Sequence, residues 1–423
     1  MPADDLPGKR PLGGYWCPNS AKRPSRRKRL ALQFRPLKLK SAIRSAAHAR
    51  DRRKRNHEED DLKIETVDSF MLSLPYRTSG GFHYIAGRPS NALAMLLVRI
   101  RTTDGLTGWG EAFGHAGAVA TKSMIDSLVA PLLVGEDARD IGTLMESVRR
   151  KIHLFGLSGP AVYAISGIDI ALWDLRGKRE GKSVSDLLGK RRHELPVYAS
   201  FLRCSSDEAL EKTCSSALGE GYGTVKLHEI TLERIRLARR SLGEPTALAV
   251  DTNCPWSVEQ SKEVLAAVRD LNLRWIEEPV WPPDDYAGLA RLRGAGTPIS
   301  AGENTASIDD FERLLAAKAV DILQPSVCKV GGITEMLKIL TMADKYGVEA
   351  IPHCGYMGSG YLANLHIVAS LQPEIPVERL YVELEESPFP MMPVVAHGHT
   401  VVPAGPGLGC DPDMRIVEKW QAT

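Results

Sequence analysis

A chain of 423 residues with 25% charged, 43% hydrophobic and 6% aromatic residues has a globular composition, which excludes a fibrous or wholly disordered protein. Its longest apolar stretch, 92–98, is too short to span a bilayer. Seven cysteines without a CxxC pair, and no secretory apolar core ahead of them, predict reduced thiols and a cytoplasmic protein.

The net charge of +2 conceals a split. Residues 1–60 hold 17 Lys and Arg against 6 Asp and Glu, and the remainder holds 37 against 46. The basic runs 26–29 and 52–55 lie among prolines with no sustained apolar stripe, so this extension is expected to be disordered. It reads as a solvated tail or as translation from a start upstream of the true one. A nucleic-acid or anionic-surface contact and a targeting segment are the weaker readings, the second opposed by Asp4 and Asp5.

From residue 62 the texture changes. Residues 62–75, 92–101 and 105–111 predict an antiparallel meander, with 76–90 as a long mobile loop between its first two strands. A helix is predicted over 160–178, with Pro160 in its first turn and Ala161, Ile165, Ile168, Leu172 and Leu175 on one face. After residue 194, strands predicted at 195–201, 223–228, 246–251, 273–278, 298–303, 320–325, 349–353 and 380–385 alternate with helices. Ser257 and Gln260 form a capping box, and Gly347 closes a helix. Short, wholly apolar strands in this alternation predict an α/β fold with a closed (β/α)8 TIM-like barrel. No GxGxxG or Walker pattern follows a strand, which weakens a nucleotide-binding alternative.

In such a barrel the reactive groups stand at the C-terminal strand ends. Asp251, Glu277 and Glu303 recur at intervals of 26 residues, one strand–helix unit each. Three hard oxygen donors converging without cysteine or a paired histidine motif favour Mg2+ over zinc. Lys226 and His228, two apart on one strand, face the same side, and His353 stands across the mouth from them. These three, with Glu383 and Glu385 at the last strand end, are the predicted catalytic groups. Tyr76, Arg77 and His83 on the 76–90 loop, and Ser200, Asn253 and Ser326 at strand ends, are expected to bind substrate. His115 and His366 are taken as structural.

The ordered set Gly108-Trp109-Gly110-Glu111, Ala171-Leu172-Trp173-Asp174, Lys226-x-His228, Asp251, Glu277-Glu278-Pro279, Glu303, Lys329-Val330-Gly331-Gly332, His353 and the glycine-rich run 403–409 resembles the enolase superfamily, and within it the mandelate racemase subgroup. The resemblance spans roughly residues 62–413. It implies an α+β capping domain over the barrel mouth, formed by 61–193 with 386–423, and a barrel at 194–385. It also implies a homo-oligomer, and removal of the proton alpha to a Mg2+-bound carboxylate to give an enediolate. Two positions depart from the subgroup: His228 stands where a lysine is usual, and Ser326 where an aspartate usually partners the seventh-strand histidine. Asp251-Thr252-Asn253 also lacks the histidine of galactonate- and mannonate-dehydrating relatives.

The function expected is therefore dehydration of a sugar acid or related α-hydroxy carboxylate, with His228 as base and His353 as acid. The alternatives are a racemase, epimerase or cycloisomerase on a related carboxylate, and a non-catalytic carboxylate- or nucleic-acid-binding relative. The expected partner is a small carboxylate, with neither membrane nor nucleic acid.

Overall fold

The computed structural model describes residues 62–79, 83–85, 88–372 and 374–422; the extension 1–60 lies outside the described residues. An antiparallel sheet is built from Ile64–Arg77, Ala92–Thr102 and Thr107–Ala112. A tight turn joins its second and third strands, with Gly105 at φ +88° and Thr102 donating to the Leu106 carbonyl. Within the segment expected to be a mobile loop, His83–Ile85 and Arg88–Ser90 pair as a short hairpin.

The helix Pro160–Glu180 packs across this sheet at unusually close range. A Cβ on Gly110 would lie 1.9 Å from the Gly167 carbonyl oxygen, and one on Gly108 would lie 2.2 Å from that of Ala171. Glycine at both positions is what lets strand and helix backbones touch. The five predicted core positions of the helix are all buried, but so are Ile170, Asp169 and Asp174 on its other sides. It is enclosed rather than striped, because its far side meets the barrel. There Ser166 Oγ accepts from Gly331 N, Asp169 Oδ1 accepts from Thr334 N, and Trp173 Nε1 donates to Thr334 Oγ1. Buried Asp174 joins three segments, accepting from Trp109 N at 2.8 Å and Leu408 N at 2.7 Å and pairing with Lys178 at 2.8 Å.

Eight parallel strands form the barrel in sequence order: Glu194–Ser200, Thr224–Leu227, Ala247–Asp251, Leu273–Glu277, Ile299–Ala301, Ile322–Leu323, Glu349–Ala350 and Val377–Leu380. The eighth pairs back onto the first. Helices occupy the seven intervals, among them Val258–Ala267 with its Ser257–Gln260 capping box and Gly332–Tyr346 with Gly347 in the left-handed cap. The barrel interior is floored by Tyr198, Ala249, Trp275, Ile322 and Ile351.

The eighth strand corrects the expectation of 380–385. Residues 382–385 alternate apolar with charged residues whereas 377–380 set two charges between apolar ends, so alternation favours the wrong segment. The short link from helix Ser359–Ser370 delivers the nearer segment to the barrel. The farther one leaves it, and Glu383–Leu384 pairs antiparallel with Tyr76 and Arg77 of the capping sheet. The last segment serves both parts: His399–Val401 pairs with the first barrel strand, and residues 420–422 hydrogen-bond along the first capping strand. The described residues fall within one compact unit. No described helix is long and apolar enough to cross a membrane.

Candidate active site

Above the aromatic floor stands a layer of charge. Trp275 Nε1 donates to Glu277 Oε2 at 3.1 Å, and Gln324 Nε2 donates to the same oxygen at 2.9 Å. Lys226, without exposed surface, reaches Glu378 at 2.7 Å and both Asp251 and Glu277 at 3.3 Å. Asp251 Oδ1 accepts from the backbone and side-chain nitrogens of Asn253, whose φ of +52° turns the chain back over the strand end. Gly302, at φ +140° and packed against Gln324, turns the fifth strand so that Glu303 faces the mouth.

The two histidines flank this row. His228 donates from Nδ1 to the Phe201 carbonyl and presents Nε2 to Asp251 at 3.1 Å. His353 presents Nε2 to Glu303 at 2.8 Å, with Nδ1 3.1 Å from Ser326 Oγ. A cavity of about 580 Å³ opens above them, lined from the barrel by His228, Asn253, Glu303, Asn304, Lys329 and His353, and from the cap by Tyr76, Phe113, His115 and Tyr163.

Negative charge exceeds positive here: Asp251, Glu277, Glu278, Glu303 and Glu378 face Lys226 and Lys329. Burial and the neighbouring Asp251 push Glu277 up to about 7. Burial and Glu303 push Glu278 well above the carboxylate range. Burial also opposes ionisation of Glu303, but Lys329 and His353 overcome it and hold it well below its usual value. Glu378 is held at about 2, against burial, by Lys226 and His353. Burial disfavours the imidazolium of both histidines, yet Asp251 raises His228 and Glu303 raises His353.

This donor set fits a hard divalent cation. Buried carboxylates in excess of their counterions call for positive charge, and Asp251, Glu277 and Glu303 supply oxygen donors from consecutive strands. In this conformation lysine and histidine balance that charge, and no three His, Cys, Asp or Glu among the described residues stand in a closed metal-holding arrangement.

The cluster includes neither Glu383 nor Glu385. Both are exposed beside the capping sheet, and Glu385 pairs with Arg77 at 3.3 Å. Arg77 and Glu383 line a separate groove of about 640 Å³ with Glu220 and Arg379. The two glutamate corrections share one cause, the early end of the eighth strand, whereas Arg77 faces away because it follows Tyr76 on an extended strand. Tyr76 does line the histidine cavity, donating to the Ser90 carbonyl. Ser200 is fully buried, its hydroxyl without a hydrogen-bond partner among the described residues, and Ser326 sits behind His353. His83 is placed by its backbone alone, opposite Ser90 in the hairpin.

Sequence reasoning missed Glu378, one strand–helix unit beyond His353, and Lys329, seen only as part of a motif. It also set aside His115, which the Gly114–Gly117 turn carries to the cavity, its ring 6.0 Å from that of Phe113. His366 is buried, accepting from Ser185 N at Nδ1 and facing the Leu408 carbonyl through Nε2.

An enolase C-terminal domain-like family model matches residues 209–416, and the mandelate racemase/muconate lactonizing enzyme N-terminal domain matches 82–189. The chain is 32% identical to the arabinonate dehydratase of Saccharolobus solfataricus over 77% of this chain and 90% of that protein. It is likewise 32% identical to the D-galactarolactone cycloisomerase of Agrobacterium fabrum, over 83% and 96%. Among solved structures, an L-talarate/galactarate dehydratase mutant liganded with Mg and L-glucarate superposes with a TM-score of 0.79 at 28% identity, covering 92% of this chain and 97% of that one. The chain belongs to the mandelate racemase/muconate lactonizing enzyme family of the enolase superfamily.

Proposed function

We propose that this protein is a Mg2+-dependent dehydratase of a sugar acid or related α-hydroxy carboxylate. The observation that carries the reading is the placement of His228 and His353, which turn their Nε2 atoms toward one row of buried carboxylates from opposite sides. Asp251, Glu277 and Glu303 would hold the ion, which when bound supplies positive charge for the substrate carboxylate as its alpha proton leaves. Lys226, fully buried and cationic, adds fixed charge at the same place.

His228 is oriented for the first proton transfer. Its Nδ1–H is committed to the Phe201 carbonyl, so Nε2 is the nitrogen that accepts the alpha proton. His353 delivers a proton from the other side to the departing β-hydroxyl, which leaves as water, and the resulting enol becomes a 2-keto-3-deoxy acid. The cap residues Tyr76, Phe113, His115 and Tyr163 close the cavity and restrict water. Ring opening of a lactone or anhydro acid needs the same first step with an internal oxygen as leaving group. The likeness to a lactone cycloisomerase over 96% of its length supports keeping that second reading.

Incubating the protein with Mg2+ and a panel of aldonic acids, aldaric acids, sugar lactones and anhydro acids tests both. A 2-keto product from an open-chain acid is expected, with solvent deuterium incorporated at C3, the carbon that lost the hydroxyl. Mg2+ binding without product or alpha-proton exchange on any acid of the panel would sink the reading.

A further inference from the structure

The imidazole of His353 is held from behind by two hydroxyls. Its Nδ1 lies 3.1 Å from Ser326 Oγ, and that oxygen lies 2.5 Å from Tyr356 Oη. Both residues are buried, with relative exposures of 0% and 4%. The Tyr356 ring stands edge-on to His353 at 6.2 Å and edge-on to Phe113 at 6.4 Å, so the phenol also packs against the imidazole that it reaches through Ser326.

The chemistry of the three groups sets the direction of this chain. A phenol is a stronger acid and a poorer acceptor than an aliphatic hydroxyl, because its lone pair is shared with the ring. The bare nitrogen of a neutral imidazole is a better acceptor than either. The phenol therefore donates to Ser326 Oγ, and the serine passes its own proton toward Nδ1, each bond polarising the next. A neutral imidazole bound in this way carries its proton on Nε2, which faces Glu303 and lines the cavity side. A carboxylate at position 326 would do the opposite: it can only accept, so it would draw the proton to Nδ1 and leave Nε2 bare.

We propose that Tyr356, acting through Ser326, is a positioning residue that keeps the proton of neutral His353 on Nε2, where it is available to a leaving group. The use made of that proton rests on the dehydratase reading; the location of the proton does not.

Nitrogen-15 spectra of the full chain, labelled selectively at histidine and recorded on the alkaline side of the imidazole titration, test the assignment. The His353 signals are identified by their loss in His353→Asn. The parent should show the Nε2–H tautomer. Tyr356→Phe removes only the hydroxyl, leaving Ser326 without a donor and free to accept, so the population should move toward Nδ1–H. Ser326→Asp should move it further. Should that variant fail to fold, Ser326→Ala, which removes the donor without adding bulk, should also erode the Nε2–H preference. On an acid that the enzyme turns over, Tyr356→Phe should lower kcat by roughly tenfold with KM unchanged and alpha-proton exchange at the parent rate. A parent spectrum with Nδ1–H, or a Tyr356→Phe tautomer identical to the parent, overturns the proposal. If the tautomer moves as expected and no acid is dehydrated, the positioning assignment stands and the dehydratase reading fails.

Discussion

The ammonium of Lys226 stands 2.7 Å from a carboxylate oxygen of Glu378, and neither side chain is exposed. Removing one member of such a pair leaves the other charge buried and poorly compensated. Glu378→Gln keeps the shape and removes the charge, so it should lower turnover on the order of 100-fold. Glu383→Gln and Glu385→Gln should stay near the parent rate. Steady-state kinetics on one substrate compare the three, and the reverse ranking would return the eighth strand end to 383–385.

Glu277→Gln tests the cation site. It removes one oxygen charge from a fully buried position whose N–H donors, the Trp275 indole and the Gln324 amide, remain to hold the side chain. Calorimetric titration should show Mg2+ binding weaker by roughly tenfold or more, with little change in thermal stability. Near-parent turnover of the variant at limiting Mg2+ would remove Glu277 from the ligand set.

The histidines should separate kinetically. His228→Asn should abolish exchange of the substrate alpha proton with deuterated solvent. His353→Asn should slow product formation on the order of 100-fold while exchange continues, because its proton is needed only when the hydroxyl departs. An inverting two-base enzyme would instead keep exchange on one epimer in each variant.

His366 makes a stability prediction away from the site. Burial lowers its pKa to about 4, so the unfolded chain takes up a proton before the folded one does. Its contribution is therefore complete above about pH 6.5 and is lost as pH falls toward 4, by at most about 3 kcal/mol. Urea titrations across that window should show parent stability rising with pH more steeply than that of His366→Gln. Equal slopes would mean that His366 does not titrate there.

The sequence makes the barrel legible because strand and helix patterns alternate, several strands such as 247–250 being short apolar runs, and because Asp251, Glu277 and Glu303 recur once per unit. What escapes it depends on contacts across units. Alternation favours the stretch holding Glu383 over the one holding Glu378, yet the pairing of Val377 with Val197 brings Glu378 into the barrel. His115 belongs to a turn of the capping sheet, so nothing local connects it with His353. The link from Tyr356 to His353 runs through Ser326 on another strand, and residue spacing does not encode it.

The first capping strand, Ile64–Arg77, is completed by residues made much later. Glu383–Leu384 pairs with one part of it, and farther along Ser73 donates to the Trp420 carbonyl and Ala422 to that of Met71. During synthesis this edge stays unpaired until residues 383–422 have left the ribosome, a stretch of open backbone of the kind that recruits foreign strands. The nascent protein must therefore hold this strand with one edge exposed while more than 300 residues are added, and that edge closes only after the barrel between them has been made.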